Sequence, residues 1–330
     1  MLFSAFLGQL QANNILTQGF RFAVNSARNI ISHIRTFFYF CVFFNLQPLP
    51  ASATSLCYFA ELMAITVSYG HIKNILSSIK YLHASYNLTY PENDFGLDTT
   101  LQGLKRKLAR TPFQVLPITP SILRRLFKLL DLEKTEDLAL WVSFLTAFYC
   151  LFRKKNVCPE ASEPTREKTL RRKHIEVDRA SNIVYIYCNF SKTNQFGASD
   201  LVIPVPGNSD PSLDLVRHMS ALLSRVQADP DDPAFTYSSA KFVHYKLFTD
   251  RLKSLLARAG LDPSLYSGHS FRRGGASFLY QVGGSVLQIM ASGNWSSSCF
   301  TRYLFLTEEE RLDAQMLIAR AIADTSDQDN

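Results

Sequence analysis

Apolar positions over the first hundred residues recur every three to four residues, the spacing of helices that each bury one face. Between residues 20 and 44 there is no Pro or Gly, and Val24, Ile31, Ile34 and Phe38 keep helical spacing, which predicts one long helix. Arg21, Arg28 and Arg35 are seven residues apart and share one stripe of it, where a polyanion can lie. Past Pro48 and Pro50, Thr54 is suited to cap a short helix reaching Met63. Over 70–82, Ile72, Ile75, Leu76 and Ile79 fall on one face and Lys73, Ser77 and Lys80 on another, an amphipathic helix with a basic outer side. Thr100 is the expected start of a further short helix.

From Lys105 to Lys128 every charged residue is positive: Lys105, Arg106, Lys107, Arg110, Arg124, Arg125 and Lys128. Pro112, Pro117 and Pro120 interrupt helix formation there, so 110–117 reads as a basic linker able to follow a phosphate backbone. Thr119 with Pro120 is a cap and first-turn pair opening a helix to Leu130. Thr135, Glu136 and Asp137 open another to about Phe152. Residues 183–190 are mostly β-branched or aromatic, 175–177 and 201–205 flank them as strands, and the pattern turns helical again from Pro211. The expected fold class is α+β, mainly α, with a helical first domain and a mixed second domain holding a small antiparallel sheet.

Composition narrows the function. The 330 residues are 47% hydrophobic and 19% charged, which suits about two globular domains and excludes disordered and fibrous classes. A net charge of +7 favours a polyanionic partner. Six cysteines, Cys41, Cys57, Cys150, Cys158, Cys188 and Cys299, form no C-x-x-C pair and read as buried thiols. The longest apolar run, residues 37–44, is too short to span a bilayer, and no secretory signal is recognisable. The expected location is intracellular, nuclear if the source is a eukaryote, with no membrane partner.

The segment richest in chemistry is GHSFRRGGASF, residues 268–278. In a helix starting near Ser270, His269 and Arg272 converge on one point, while Arg273, rotated by about 100°, points elsewhere. GNWSSSCFTRYL follows at 293–304, with Gly293 as a helix stop and Ser296 as the cap of a helix carrying Tyr303. Singly, each of these residues is better explained by packing or solvation. Their joint order is not.

With LFRKKNV at 151–157, SKTNQFG at 191–197 and W-x7-Y from Trp295 to Tyr303, the chain from about residue 20 resembles the tyrosine recombinase (phage integrase) family, most closely recombinases of Crypton-type and DIRS-type mobile elements. The resemblance implies an active site of Arg153, Lys192, His269, Arg272, Trp295 and Tyr303, each an allowed residue type. Asn156 stands where a carboxylate often follows the first arginine, and the spacing before the tyrosine is one shorter than in many bacterial members. The implied activity is metal-independent, site-specific DNA cutting and rejoining through a 3′-phosphotyrosyl link, without a cofactor, for integration or excision of a mobile element.

The residue chemistry is consistent with those roles. Tyr303 is the nucleophile, Arg153 and Arg272 offer always-charged forks to the phosphoryl oxygens, and His269 is the base or proton shuttle. Lys192 shares the parity of Val184, Ile186 and Cys188 and is suited to protonate the leaving oxygen. Trp295 can donate one N–H to the phosphate. Arg21, Arg28, Arg35, Lys73, Lys80, Lys105, Arg106, Lys107 and Arg110 are the expected contacts to double-stranded DNA. The expected layout is a leader over 1–19, a helical DNA-binding domain over 20–110, a linker over 111–117 and a catalytic domain over 118–330. Its last segment, with a capping box at Thr307 and Glu310 and apolar Leu312, Met316, Ala319 and Ile322, reads as a helix. A tetrameric synapse is implied on DNA. The alternatives are a DNA-binding protein of the same fold that no longer cuts and, less well matched by the SKTNQFG segment, a type IB topoisomerase.

Overall fold

The computed structural model describes residues 24–109, 115–162, 169–188, 201–295, 297–304, 312, 315 and 316. The chain divides into two compact units, Met1–Pro112 and Phe113–Asn330.

The first unit holds four helices, α1 (Val24–Phe43), α2 (Ala53–Ala64), α3 (Tyr69–Ser85) and α4 (Phe95–Lys107). Ile72, Ile75, Leu76 and Ile79 of α3 are buried as their spacing predicts, against Leu56 and Phe59 of α2 and Leu97 and Leu104 of α4. In α1 the buried set differs. Ile31 is 56% exposed, while Phe37, Phe40 and Cys41 enter the core, because only the C-terminal half of α1 meets Phe59, whose ring centroid lies 5.1 Å from those of Phe37 and Phe40. The caps also move. Ser52, not Thr54, caps α2 by accepting from Ser55 N–H, and α4 starts five residues before Thr100 because the Asp94 carboxylate accepts from Leu97 N–H. The His83 ring accepts from Ala51 N–H at 2.8 Å and donates to the Ile79 carbonyl at 2.8 Å, so one buried side chain ties α3 to the loop before α2.

The second unit is built around α6 (Thr135–Tyr149), buried on every side from Asp137 to Phe148. Packed about it are α5 (Pro120–Phe127), α8 (Leu215–Arg225), α9 (Tyr245–Arg258) and α10 (His269–Gln281), with short α7 (Lys154–Val157) and α11 (Val286–Ser292). Phe144 of α6 sits 4.8 Å from Phe248 of α9 and 5.0 Å from Phe271 of α10, ring centre to ring centre. The antiparallel sheet runs β1 (Ile175–Asp178), β2 (Ile183–Cys188), β3 (Leu201–Pro206), with Val184 opposite Val205 and Ile186 opposite Ile203 on its buried face. A two-stranded ribbon of β4 (Thr236–Ser238) and β5 (Lys241–Phe242) adds a second small sheet.

Several boundaries depart from the sequence reading. Residues 115–117 of the expected linker bond into the second unit, because Leu116 N–H donates to the Leu265 carbonyl and, next to them, Ile118 N–H to that of Ser270. Helix α5 stops at Phe127, short of Leu130, and α6 at Tyr149, short of Phe152, where Leu151 takes a left-handed backbone (φ 50°). Strand β2 is described to Cys188, so Asn189 and Phe190 of the expected strand lie outside the described residues. Four of the cysteines are buried, but Cys57 is half-buried and Cys299 exposed. Among the described residues no helix is long and apolar enough to cross a membrane.

Candidate active site

Five of the six expected catalytic residues fall within the described part of the second unit. Arg153 takes an extended backbone and caps the start of α7, two residues after left-handed Leu151. Leu151 is itself buried in a small cluster with Ala276, Ile289, Trp295 and Phe300. His269 and Arg272 lie on the first turn of α10. That helix can approach closely because of the Gly274–Gly275 pair. A Cβ on Gly274 would meet the Ile118 carbonyl, and one on Gly275 the Phe148 carbonyl at the end of α6.

Arg272 is 2% exposed and anchored by two carbonyls. Its Nη1 donates to Leu151 O and its Nη2 to Gly293 O at 2.8 Å. The guanidinium carbon lies 3.9 Å from the Trp295 ring centre and 5.2 Å from that of Tyr303, and the two rings are 5.3 Å apart. Burial and then the neighbouring Arg153 lower the Arg272 pKa to about 10, while a side-chain hydrogen bond with Tyr303 opposes the shift. Arg272 Nε and Trp295 Nε1 are buried donors without a partner among the described residues. A donor in that state costs about 1–3 kcal/mol, so the site is short of an acceptor.

The stop before this segment is made differently from the sequence reading. Gly293 closes α11 with φ −93°, and Asn294 takes the left-handed position (φ 48°). Glycine is required at 293 for another reason: a Cβ there would collide with the Trp295 ring. Tyr303 is carried by a 3-10 segment, Ser298–Tyr303, whose tight turns set it against Arg272, rather than by an α-helix capped at Ser296. Ser296 lies outside the described residues.

His269 is exposed at the helix start. Desolvation lowers its pKa first, followed by the charges of Arg153, Lys154 and Arg272, so the ring is held unprotonated at neutral pH. A cavity of about 20 Å³ lies between Arg153, Asn156, Cys188, Leu201, Arg272 and Gly293. It admits a water but not a phosphodiester. Lys192 lies outside the described residues, yet Cys188 and Leu201, the last residue of β2 and the first of β3, line this cavity. Cys188 and Leu201, the nearest described residues on either side of Lys192 in the sequence, therefore lie beside the two arginines.

Sequence reasoning set Arg273 aside, whereas the structure buries it to 7% exposure and points its Nη2 at the Leu304 carbonyl, 3.4 Å away. Its rotation from Arg272 is as expected. The missing information was that the segment after Tyr303 passes on that side. Among the expected DNA contacts, Arg28, Arg35, Lys73, Lys80, Lys105, Arg106 and Lys107 are all exposed on the first unit. Lys80 is paired with Glu92 at 2.5 Å and Lys107 with Glu61 at 3.6 Å. Arg21 and Arg110 lie outside the described residues, as do Thr307, Glu310, Ala319 and Ile322 of the expected C-terminal helix, whose Leu312 and Met316 are exposed.

No family model and no curated protein matches the sequence. Solved structures do match the fold. The Tn1549 transposon integrase in complex with circular intermediate DNA aligns with a TM-score of 0.60 at 14% identity, over 93% of this chain and 98% of that one. A lambda integrase dimer bound to a COC′ core site gives 0.58 at 12% identity, over 89% and 93%. The XerH site-specific recombinase bound to difH substrate gives 0.54 at 12% identity, over 84% and 74%. With its helical first unit, its small antiparallel sheet and Tyr303 set beside Arg272, the chain has the tyrosine recombinase fold.

Proposed function

We propose that the protein is a site-specific DNA recombinase of the integrating or excising kind, working on a mobile element related to the Crypton and DIRS types. The observation that carries this reading is the stacking of Tyr303 and Trp295 on buried Arg272, with Arg272 Nε and Trp295 Nε1 lacking any acceptor among the described residues. A phosphate oxygen is the acceptor such donors fit. The three solved structures compared above are DNA complexes, as their names state.

In the proposed step the Tyr303 oxygen attacks phosphorus, a P–O bond to tyrosine forms and the bond to the 5′ oxygen breaks. Unprotonated His269 takes the phenol proton, and Lys192 supplies the proton that the leaving 5′ oxygen needs. Arg153 and Arg272 offset the charge that grows on the non-bridging oxygens. One phosphodiester replaces another, so the step needs no nucleotide. The cavity beside Arg153 and Arg272 is too small for a phosphodiester, so its walls must widen as DNA enters. Full exchange between two duplexes uses four such sites, hence a tetramer on DNA, and in a eukaryotic source the work is nuclear.

The test is a nicked duplex carrying the element's terminal sequence. The protein should form an adduct that survives denaturant, and Tyr303→Phe should bind with unchanged affinity while forming none. Binding without any adduct by the unmodified protein would leave the non-cutting DNA-binding protein as the correct reading.

A further inference from the structure

Two consecutive arginines hold the nucleophile segment from different sides. Arg272 meets the Tyr303 ring and hydroxyl, whereas Arg273, one residue on and about 100° around the helix, reaches the main chain just past it. One turn further along α10, Ser277 Oγ donates to the Tyr303 carbonyl at 3.3 Å. Successive carbonyls of the segment, those of Tyr303 and Leu304, are thus both bonded to side chains of the helix that carries His269 and Arg272.

We propose that Arg273, seconded by Ser277, is a positioning residue that sets the reach of the Tyr303 oxygen by fixing the peptide on its carboxyl side. The inference rests on Tyr303 being the nucleophile. Its physical basis is that Tyr303 sits at the end of a 3-10 turn that stops at extended Leu304 (φ −70°, ψ 135°), where a helix end leaves its last carbonyls to be bonded by other groups. Burying a guanidinium is costly unless its donors are used, and Arg273 directs one of them to the main chain at Leu304. Fixing two successive carbonyls just past the Tyr303 Cα limits how far that Cα, and the side chain it carries, can swing. A displacement near 1 Å at a reacting atom can cost about a hundredfold in rate.

Arg273→Met keeps the length of the stem and removes the donors. Arg273→Lys keeps the charge but not the fork. Adduct formation in a single turnover should fall at least tenfold in Arg273→Met and less in Arg273→Lys, with DNA affinity within twofold of the parent. Amide exchange should rise over 298–304 in both variants and stay unchanged over α6, which a general loss of stability would not produce. Ser277→Ala should give a smaller change of the same kind. If Arg273→Met does not fold, Arg273→Lys and Ser277→Ala carry the test. Parental cleavage rates, or parental exchange over 298–304, in the variants that fold would overturn the proposal. Absence of any adduct in the parent protein would instead remove the nucleophile assignment, and the exchange measurement would still decide whether Arg273 fixes the segment.

Discussion

Leu151 shows how one residue can serve three ends at once. Its left-handed backbone turns a carbonyl toward Arg272, its side chain packs with Trp295 and Phe300, and the chain reaches Arg153 two residues later. A non-glycine residue in that conformation costs about 1–2 kcal/mol. Elsewhere in a protein Ala is better tolerated than Gly. At 151 the order should invert, Leu151→Gly being more stable than Leu151→Ala by about 1 kcal/mol in urea unfolding, although both lose the buried side chain. His269 supports a second expectation. Because burial first, and nearby cations after it, hold its pKa below the usual imidazole value, the unprotonated base persists to lower pH than a free imidazole would allow. Removing one of those cations with Lys154→Met makes protonation easier and raises the pKa. The acid limb of the cleavage rate should therefore move to higher pH, read from single turnovers between about pH 5 and 8. The six candidate positions were read from the order of motifs along the chain, and of these the structure sets Arg272, Trp295 and Tyr303 in contact. Leu151 and Arg273 were not, because helical spacing says which way a side chain points but not which distant segment passes there, and no composition rule marks a left-handed leucine.

Among the elements, the strongly periodic ones were the most legible. Helix α3 buries the four apolar residues its spacing selects, and β2 alternates as expected through Cys188. The errors fell at ends, where Ser52 and Asp94 outcompete Thr54 and Thr100 as caps simply by standing next to free N–H groups. The first half of α1 was misread because apolar spacing marks a face without saying how far along the helix a partner extends. The Gly274–Gly275 pair carries its own message, a helix lying against foreign backbone. Gly274→Ala should be destabilised by about 1–3 kcal/mol or more, since the Ile118 carbonyl cannot retreat without straining the bond that the Ile118 N–H donates to the Ser270 carbonyl. Thermal unfolding should show the drop, and cleavage should fall further than the loss of folded protein accounts for, because α10 carries His269 and Arg272.

On the scale of the whole molecule, two separate cores divide the labour between a basic helical unit and a unit holding the candidate site. The change from helical pattern to mixed pattern was visible in the sequence, and the break between Pro112 and Phe113 falls within the stretch 111–117. Prolines and charge mark where a helix must stop, not where backbone bonds such as that of Leu116 begin a new unit. For DNA binding, exposure alone does not rank the cations. Lys105 and Arg106 carry no ion pair among those formed by described residues, whereas Lys80 and Lys107 already have carboxylate partners. Neutralising Lys105 or Arg106 should reduce the slope of log affinity against log salt by about one, and neutralising Lys80 or Lys107 by less. Equal slopes for all four, measured by fluorescence anisotropy, would contradict this ranking.

The packing of Trp295 also makes the protein its own optical reporter. The chain has only two tryptophans, and they occupy opposite kinds of environment. Trp141 is fully enclosed in the core of α6, its indole bonded to the Ser212 carbonyl at 3.0 Å, and should emit steadily at short wavelength. Trp295 lies against a guanidinium and a phenol, a charged and polar surrounding to which indole emission is sensitive. If Tyr303 swings toward a phosphate, the emission of Trp295 should change in intensity and wavelength while that of Trp141 stays constant. In a Trp141→Phe background, stopped-flow emission would then time the opening of the site separately from the chemistry that follows it.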